Sequence, residues 1–192
     1  MCIRDRLDAV NLNTKVISLV NPNNPTGKIL SKEEMNEVVS IAQKFDAWLL
    51  ADEVYSGAER HNVDATQSFF GLYEKVIIVN GLSKAYGLPG LRIGWVVAPE
   101  NIINELWKRH EYTTVSSSML GNRLANLALR PDVKRALRAR TRDLVDSGFE
   151  ILQTYLNEIP GIFSVVPPMA SALSFTSYNL PINSTELVHK LS

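Results

Sequence analysis

The sequence predicts an α/β fold: a three-layer α/β/α unit around a mostly parallel sheet, incomplete here, followed by a truncated α+β unit. Two observations carry this. Four short apolar runs, VISLV (16–20), AWLLA (47–51), VIIV (76–79) and IGWVV (93–97), recur between polar or helix-patterned segments. Nearly continuous apolar runs of this kind belong to strands of a sheet covered on both faces. After Gly161 the texture changes to FSVVPP and SALSFTSYNLP, shorter pieces that suit a second, smaller unit.

In chain order, Val16 to Val20 forms a buried strand that ends in the turn-rich NPNNPTG. Ser31 then offers an N-cap with Glu34 three residues on, a capping box, and Met35, Val38, Val39, Ile41 and Ala42 recur at helical spacing. This spacing predicts a helix over about 31–45. AWLLA and VIIV are the second and third strands, and the link between them, 56–74, has no strong helical pattern. IGWVV closes the series, and Pro99 opens a helical region that runs to Pro160, with one long stretch near 131–158. A last helical fragment starts at Ser184. The first six residues, Met-Cys-Ile-Arg-Asp-Arg, fit poorly with the residues after them and are expected to be a sequencing or cloning artefact, with the true chain beginning upstream. The remainder divides into 7–135, a partial large domain, and 136–192, a linking helix and the start of a small one.

The 20 Lys and Arg balance the 20 Asp and Glu, which argues against nucleic acid or an acidic membrane surface as a partner. The basic concentration between Arg130 and Arg142 is interleaved with Asp132 and Asp143 and reads as a solvated helix face. Cys2, the only cysteine, has no partner for a disulfide, and this favours a reducing, cytoplasmic location. No stretch has the length of apolar residues that a membrane span needs, and MCIRDRLDAVNLN lacks the apolar core of a secretory signal. His61, His110 and His189 show no metal spacing, and Trp95 and Trp107 read as core or interface aromatics.

Ligands of open α/β sheets bind beyond the carboxyl ends of the strands. The chemistry-bearing residues stand there: Asn24 after the first strand, Asp52 and Tyr55 after the second, Ser83 and Lys84 after the third, with Arg92 close behind. A phosphorylated aromatic aldehyde would use them all. A lysine amine in a dry pocket attacks the aldehyde, since burial favours its neutral form. A carboxylate such as Asp52 keeps a pyridine nitrogen protonated. The phenol of Tyr55 and the amide of Asn24 hydrogen-bond a ring oxygen, and Ser83 and Arg92 suit a phosphate. A nucleotide-binding loop is excluded, because GLSKAYG has neither the GxxxxGK[ST] nor the GxGxxG spacing. Glu53 reads as structural.

NPNNPTG, ADEVY and GLSKAYGLPGLRIGW, in this order, resemble the large domain of pyridoxal-phosphate enzymes of aminotransferase classes I and II, fold type I, over about residues 8–165. The resemblance implies pyridoxal 5'-phosphate as cofactor and Lys84 as the Schiff-base lysine and proton carrier. It places Asp52 on the pyridine nitrogen, Tyr55 and Asn24 on the ring oxygen, and Ser83 and Arg92 on the phosphate. It also implies a cis Asn24–Pro25 bond, a homodimer when full-length, and an amino acid and a 2-oxo acid as substrates. Gly81 departs from the pattern, standing where many members carry a second phosphate-binding hydroxyl. The family's N-terminal phosphate turn and stacking aromatic would precede this chain, and its substrate-carboxylate arginine would come after it. A lyase, cyclase or decarboxylase on the same scaffold, a non-catalytic sensing domain, and a fragment inactive by itself stay open beside an aminotransferase.

Overall fold

The computed structural model describes residues 9–61 and 64–191. The suspected artefact at 1–6 and Cys2 lie outside the described residues. Strands β1 (Val16–Val20), β2 (Trp48–Asp52), β3 (Val76–Gly81) and β4 (Gly94–Val97) form one sheet in that order. The first three are parallel, with Val20, Asp52 and Val79 in register, and β4 runs antiparallel to β3. The parallel register brings the carboxyl ends of three strands to one rim.

Helix α1 (Lys32–Lys44) connects β1 and β2, and its expected capping box is present: Glu34 N donates to Ser31 Oγ and the Glu34 side chain accepts from Ser31 N. Its apolar stripe, Met35, Val38, Val39 and Ala42, packs on Leu49, Ala51, Val76 and Ile78. Phe69, from the link after β2, closes the same cluster. Met35, Leu49 and Phe69 are almost fully enclosed, each worth about 1.5–3 kcal/mol in removed apolar surface. The opposite face of the strands, with Trp48, Leu50, Ile77 and Val79, is half-buried.

Gly81 and Gly94 face each other across β3 and β4, so the pairing supplies a physical reason for the unexpected glycine. A Cβ on Gly81 would stand 3.0 Å from Ile93 O and 3.2 Å from Gly94 Cα, and the facing backbone would have to give.

Beyond Pro99 the helical region breaks into α2 (Glu100–Thr113), α3 (Met119–Ala128) and α4 (Pro131–Asn157). Ser118 caps α3 through Gly121 N, and Pro131 occupies the first turn of α4, where a missing N–H costs nothing. α2 buries none of its residues. A second apolar cluster gathers around the loop after β3, where Leu82, Ala85 and Tyr86 meet Ala125 and Ala128 of α3 and Leu137 of α4. After α4 come a small antiparallel sheet, β5 (Phe163–Val165) with β6 (Thr176–Tyr178), and α5 (Ser184–Leu191).

The basic stretch of α4 corrects the expectation of a wholly solvated face. Arg138 Nη2 donates to Ser56 O at 3.4 Å and to Tyr86 Oη at 3.3 Å, and Arg140 Nη2 donates to Tyr86 O at 3.1 Å. Guanidinium groups reach across to carbonyls that no periodicity rule ties to the helix. Among the described residues no helix is long and apolar enough to cross a membrane.

Candidate active site

Asp52 is the last residue of β2, and strand alternation sends it and Glu53 to opposite sides. Asp52 is half-buried; its Oδ1 accepts from Val54 N at 3.1 Å, and no cation pairs with it among the described residues. Glu53 is buried, and burial raises its carboxyl above the usual range, partly offset by hydrogen bonds from Phe69 N at 2.9 Å and Ser68 Oγ at 3.0 Å. One acid is left available at the rim while its neighbour fastens a loop.

Tyr55 stands next in a turn in which Ser56 N donates to Glu53 O and Ala58 N to Tyr55 O. Its ring is buried, and its hydroxyl accepts from Asn24 Nδ2 at 3.4 Å. Asn24 reaches it from the NPNNPTG turn, whose Asn24–Pro25 bond is cis, as expected. The Asn21–Pro22 bond is cis as well, which sequence reasoning missed.

Lys84 sits on the loop after β3. Leu82, Ala85 and Tyr86 are buried anchors, Leu88 N donates to Leu82 O, and Ala85 N reaches Val54 O at 3.3 Å. With these neighbours fixed, the Lys84 amine stands 5.8 Å from the centroid of the Tyr55 ring. The side chain is exposed in this chain, which corrects the expectation of a dry pocket: its neighbours are buried, but nothing among the described residues roofs it. Ser83 is half-buried beside it.

Asn24, Tyr55 and Lys84 are thus brought together by direct contacts, and Asp52 by its place at the same rim. Arg92 is not joined to them. It is exposed, adopts a left-handed conformation (φ 53°) after the 3-10 turn Pro89–Leu91, and returns its Nη1 to Pro89 O at 3.0 Å. The link 56–74, which has no strong helical pattern, holds Glu59 and Arg60, both buried and both hydrogen-bonded through their side chains. Adjacent opposite charges look like any solvated pair in sequence, and their partners lie up to 108 residues away. Among the described residues no group of three His, Cys, Asp or Glu is placed to hold a metal ion.

The family model for aminotransferase class I and II matches residues 3–191. An aspartate aminotransferase from Musicola paradisiaca is 32% identical over 176 residues, which cover 86% of this chain and 40% of that protein. An aromatic amino acid aminotransferase from Rhodococcus jostii is 34% identical over 79% of this chain and 44% of its own length. Among solved structures, a PLP-dependent aminotransferase from Streptococcus suis superposes with a TM-score of 0.86 at 30% identity, covering 99% of this chain and 49% of that one. The chain therefore spans less than half the length of each of these relatives. With a family model that covers nearly all of its residues, the chain belongs to the aminotransferase class I and II family.

Proposed function

We propose that the protein carries an amino group from an amino acid to a 2-oxo acid, with pyridoxal 5'-phosphate held at the ends of β1, β2 and β3. One observation carries this reading: the Lys84 amine lies over the ring of Tyr55, whose hydroxyl meets Asn24, at the rim where no cation among the described residues pairs with Asp52. This donor set fits the cofactor group by group. An amine suits its aldehyde, a carboxylate its pyridine nitrogen, and an amide–phenol pair its ring oxygen. A half-buried hydroxyl at Ser83 and an exposed guanidinium at Arg92 suit its phosphate. Arg92 would give up its bond to Pro89 O for this, about 1 kcal/mol that a charge-assisted contact offsets.

Bound there, pyridoxal phosphate supplies an electron-poor ring that accepts the electron pair left when a substrate loses its α-proton. The chain's own residues do the rest. Lys84 Nζ anchors the aldehyde at rest and, when the substrate amine takes its place, accepts the α-proton. A flexible four-carbon stem on an anchored loop gives that amine the reach to move a proton between neighbouring atoms. The Asp52 carboxylate holds a proton on the ring nitrogen, and Val54 N fixes its orientation through Oδ1, which leaves Oδ2 for the task. Tyr55 and Asn24 orient the ring oxygen between them.

On this reading residues 7–135 form the partial cofactor-binding domain and 136–192 the linking helix and the start of a small domain. The two separate sheets joined by α4 support that division. A cytoplasmic location and a homodimer belong to the same proposal, the homodimer supported by the exposed Tyr112, Val115, Met119 and Leu120 between and within α2 and α3. The test is Lys84→Ala in the full-length protein. The visible absorbance of bound pyridoxal phosphate should disappear and turnover should fall by about a factor of 10⁴ or more. A retained visible band would sink the assignment of Lys84.

A further inference from the structure

Residues 55–60 are buried without interruption, and they include two charged side chains. Both oxygens of Glu59 accept from Gly57 N at 2.9 Å, and Oε1 also accepts from Thr66 N and Thr66 Oγ1 at 2.7 Å. Glu59 therefore closes its own loop. Arg60 does something different: among the described residues, the bonds that it donates lead to the C-terminal third of the chain. Its Nε donates to Asp146 Oδ1 on α4 at 2.7 Å, and its guanidinium lies 4.2 Å from the Phe149 ring centroid one turn further on. Its Nη1 donates to Pro168 O at 3.4 Å and its backbone N to Met169 O at 2.8 Å.

The segment 168–171 that Arg60 grips touches both loops that carry the ring-oxygen pair. On one side Met169 N and Ala170 N each donate to Gly27 O at 3.0 Å, three residues beyond Asn24. On the other, Glu59 pairs with Ala170 and Ser171 N donates to Ala58 O, three residues beyond Tyr55. A crosspiece from the far end of the chain thus spans the two loops, and Asn24 and Tyr55 meet between its attachments.

We propose that Arg60 is a positioning residue: through Asp146, Phe149 and the 168–171 crosspiece it fixes the separation of Tyr55 and Asn24, and so the electrostatics at the cofactor's ring oxygen. The inference rests on the function proposed above. Burying a guanidinium is a poor way to gain stability, since a well-packed apolar side chain of similar volume commonly does as well or better. Its planar fork instead specifies geometry, holding a carboxylate, a carbonyl and a ring face at fixed angles. The Asn24–Tyr55 contact, at 3.4 Å, is long enough that a small slip of either loop would break it.

The experiment uses the full-length protein loaded with pyridoxal phosphate. Arg60→Met, Arg60→Lys and Asp146→Asn are compared with wild type by the pH midpoint of the visible absorbance and by the rate of cofactor loss on dilution. Arg60→Met should move the midpoint by about half a pH unit or more and speed cofactor loss about fivefold, and Arg60→Lys, which keeps the charge but loses the planar fork, should leave most of both changes in place. Asp146→Asn, on the half-exposed side of the pair, should move both readouts in the same direction, and it decides the matter if Arg60→Met does not fold. Wild-type midpoints and loss rates in the variants that fold, whatever their melting temperatures, would overturn the positioning role. Lys84→Ala separates the two readings: a visible band that survives it overturns the proposed function, whereas a band lost in Lys84→Ala but unmoved by Arg60 and Asp146 overturns this inference alone.

Discussion

Asp52 and Glu53 show how much one step along a strand decides. Asp52 ends β2 and Glu53 follows it, yet one stands at the rim with no cation beside it among the described residues and the other is buried and bonded to Ser68 and Phe69. The motif Ala-Asp-Glu-Val-Tyr made the distinction legible, because strand alternation alone assigns the two side chains to opposite faces. The Glu53 carboxyl is raised by burial, so its folded form binds a proton more tightly than its unfolded form. Its burial therefore costs least at low pH, and stability is lost as pH rises from the ordinary carboxyl range through the raised value. Glu53→Gln keeps an oxygen acceptor for Phe69 N and removes the charge. Its melting temperature should exceed that of the wild type at pH 7, and the advantage should shrink toward pH 4. A melting curve below that of the wild type at both pH values would show that the carboxylate itself is needed.

Elements with a period were legible and elements held by distant partners were not. Helix α1 is the clearest case, since its cap, its apolar stripe and its length derive from Ser31, Glu34 and the spacing of Met35 to Ala42. Ser31→Ala removes the acceptor for Glu34 N and leaves that donor without its partner at the first turn, which should cost about 1 kcal/mol in chemical denaturation with an unchanged slope. A loss below about 0.3 kcal/mol would mean that water serves Glu34 N equally well. The link 56–74 is the opposite case. Its order comes from Glu59 capturing Thr66 and from Arg60 reaching Asp146 and Pro168, pairings that local sequence cannot announce. The break between α2 and α3 was hidden for a related reason, because a Thr-Thr-Val-Ser-Ser run is compatible with either a frayed helix or a capped restart.

At the scale of the whole molecule, the segment 168–171 meets the loop after β1 along a seam, and Gly27 is a point of close approach in it. The chain turns there with φ +67°, a conformation that glycine adopts without steric cost. A Cβ built on Gly27 would lie 2.3 Å from Pro168 Cβ and 2.5 Å from Ala170 O, so no side chain fits unless the crosspiece withdraws. Gly71 provides the control, because it also has a positive φ, +78°, but opens onto empty space. Gly71→Ala should cost only the backbone preference, about 1 kcal/mol, whereas Gly27→Ala should cost roughly 2–4 kcal/mol through backbone and overlap together. The excess measures the seam, because both substitutions carry the cost of a positive φ and only Gly27 faces an opposing segment. Equal losses at the two glycines in urea denaturation would mean that the crosspiece yields freely. In that case the C-terminal third is not held in register with Asn24 and Tyr55. A clear excess at Gly27 means that the loop bearing Asn24 and the segment gripped by Arg60 respond to strain as one unit.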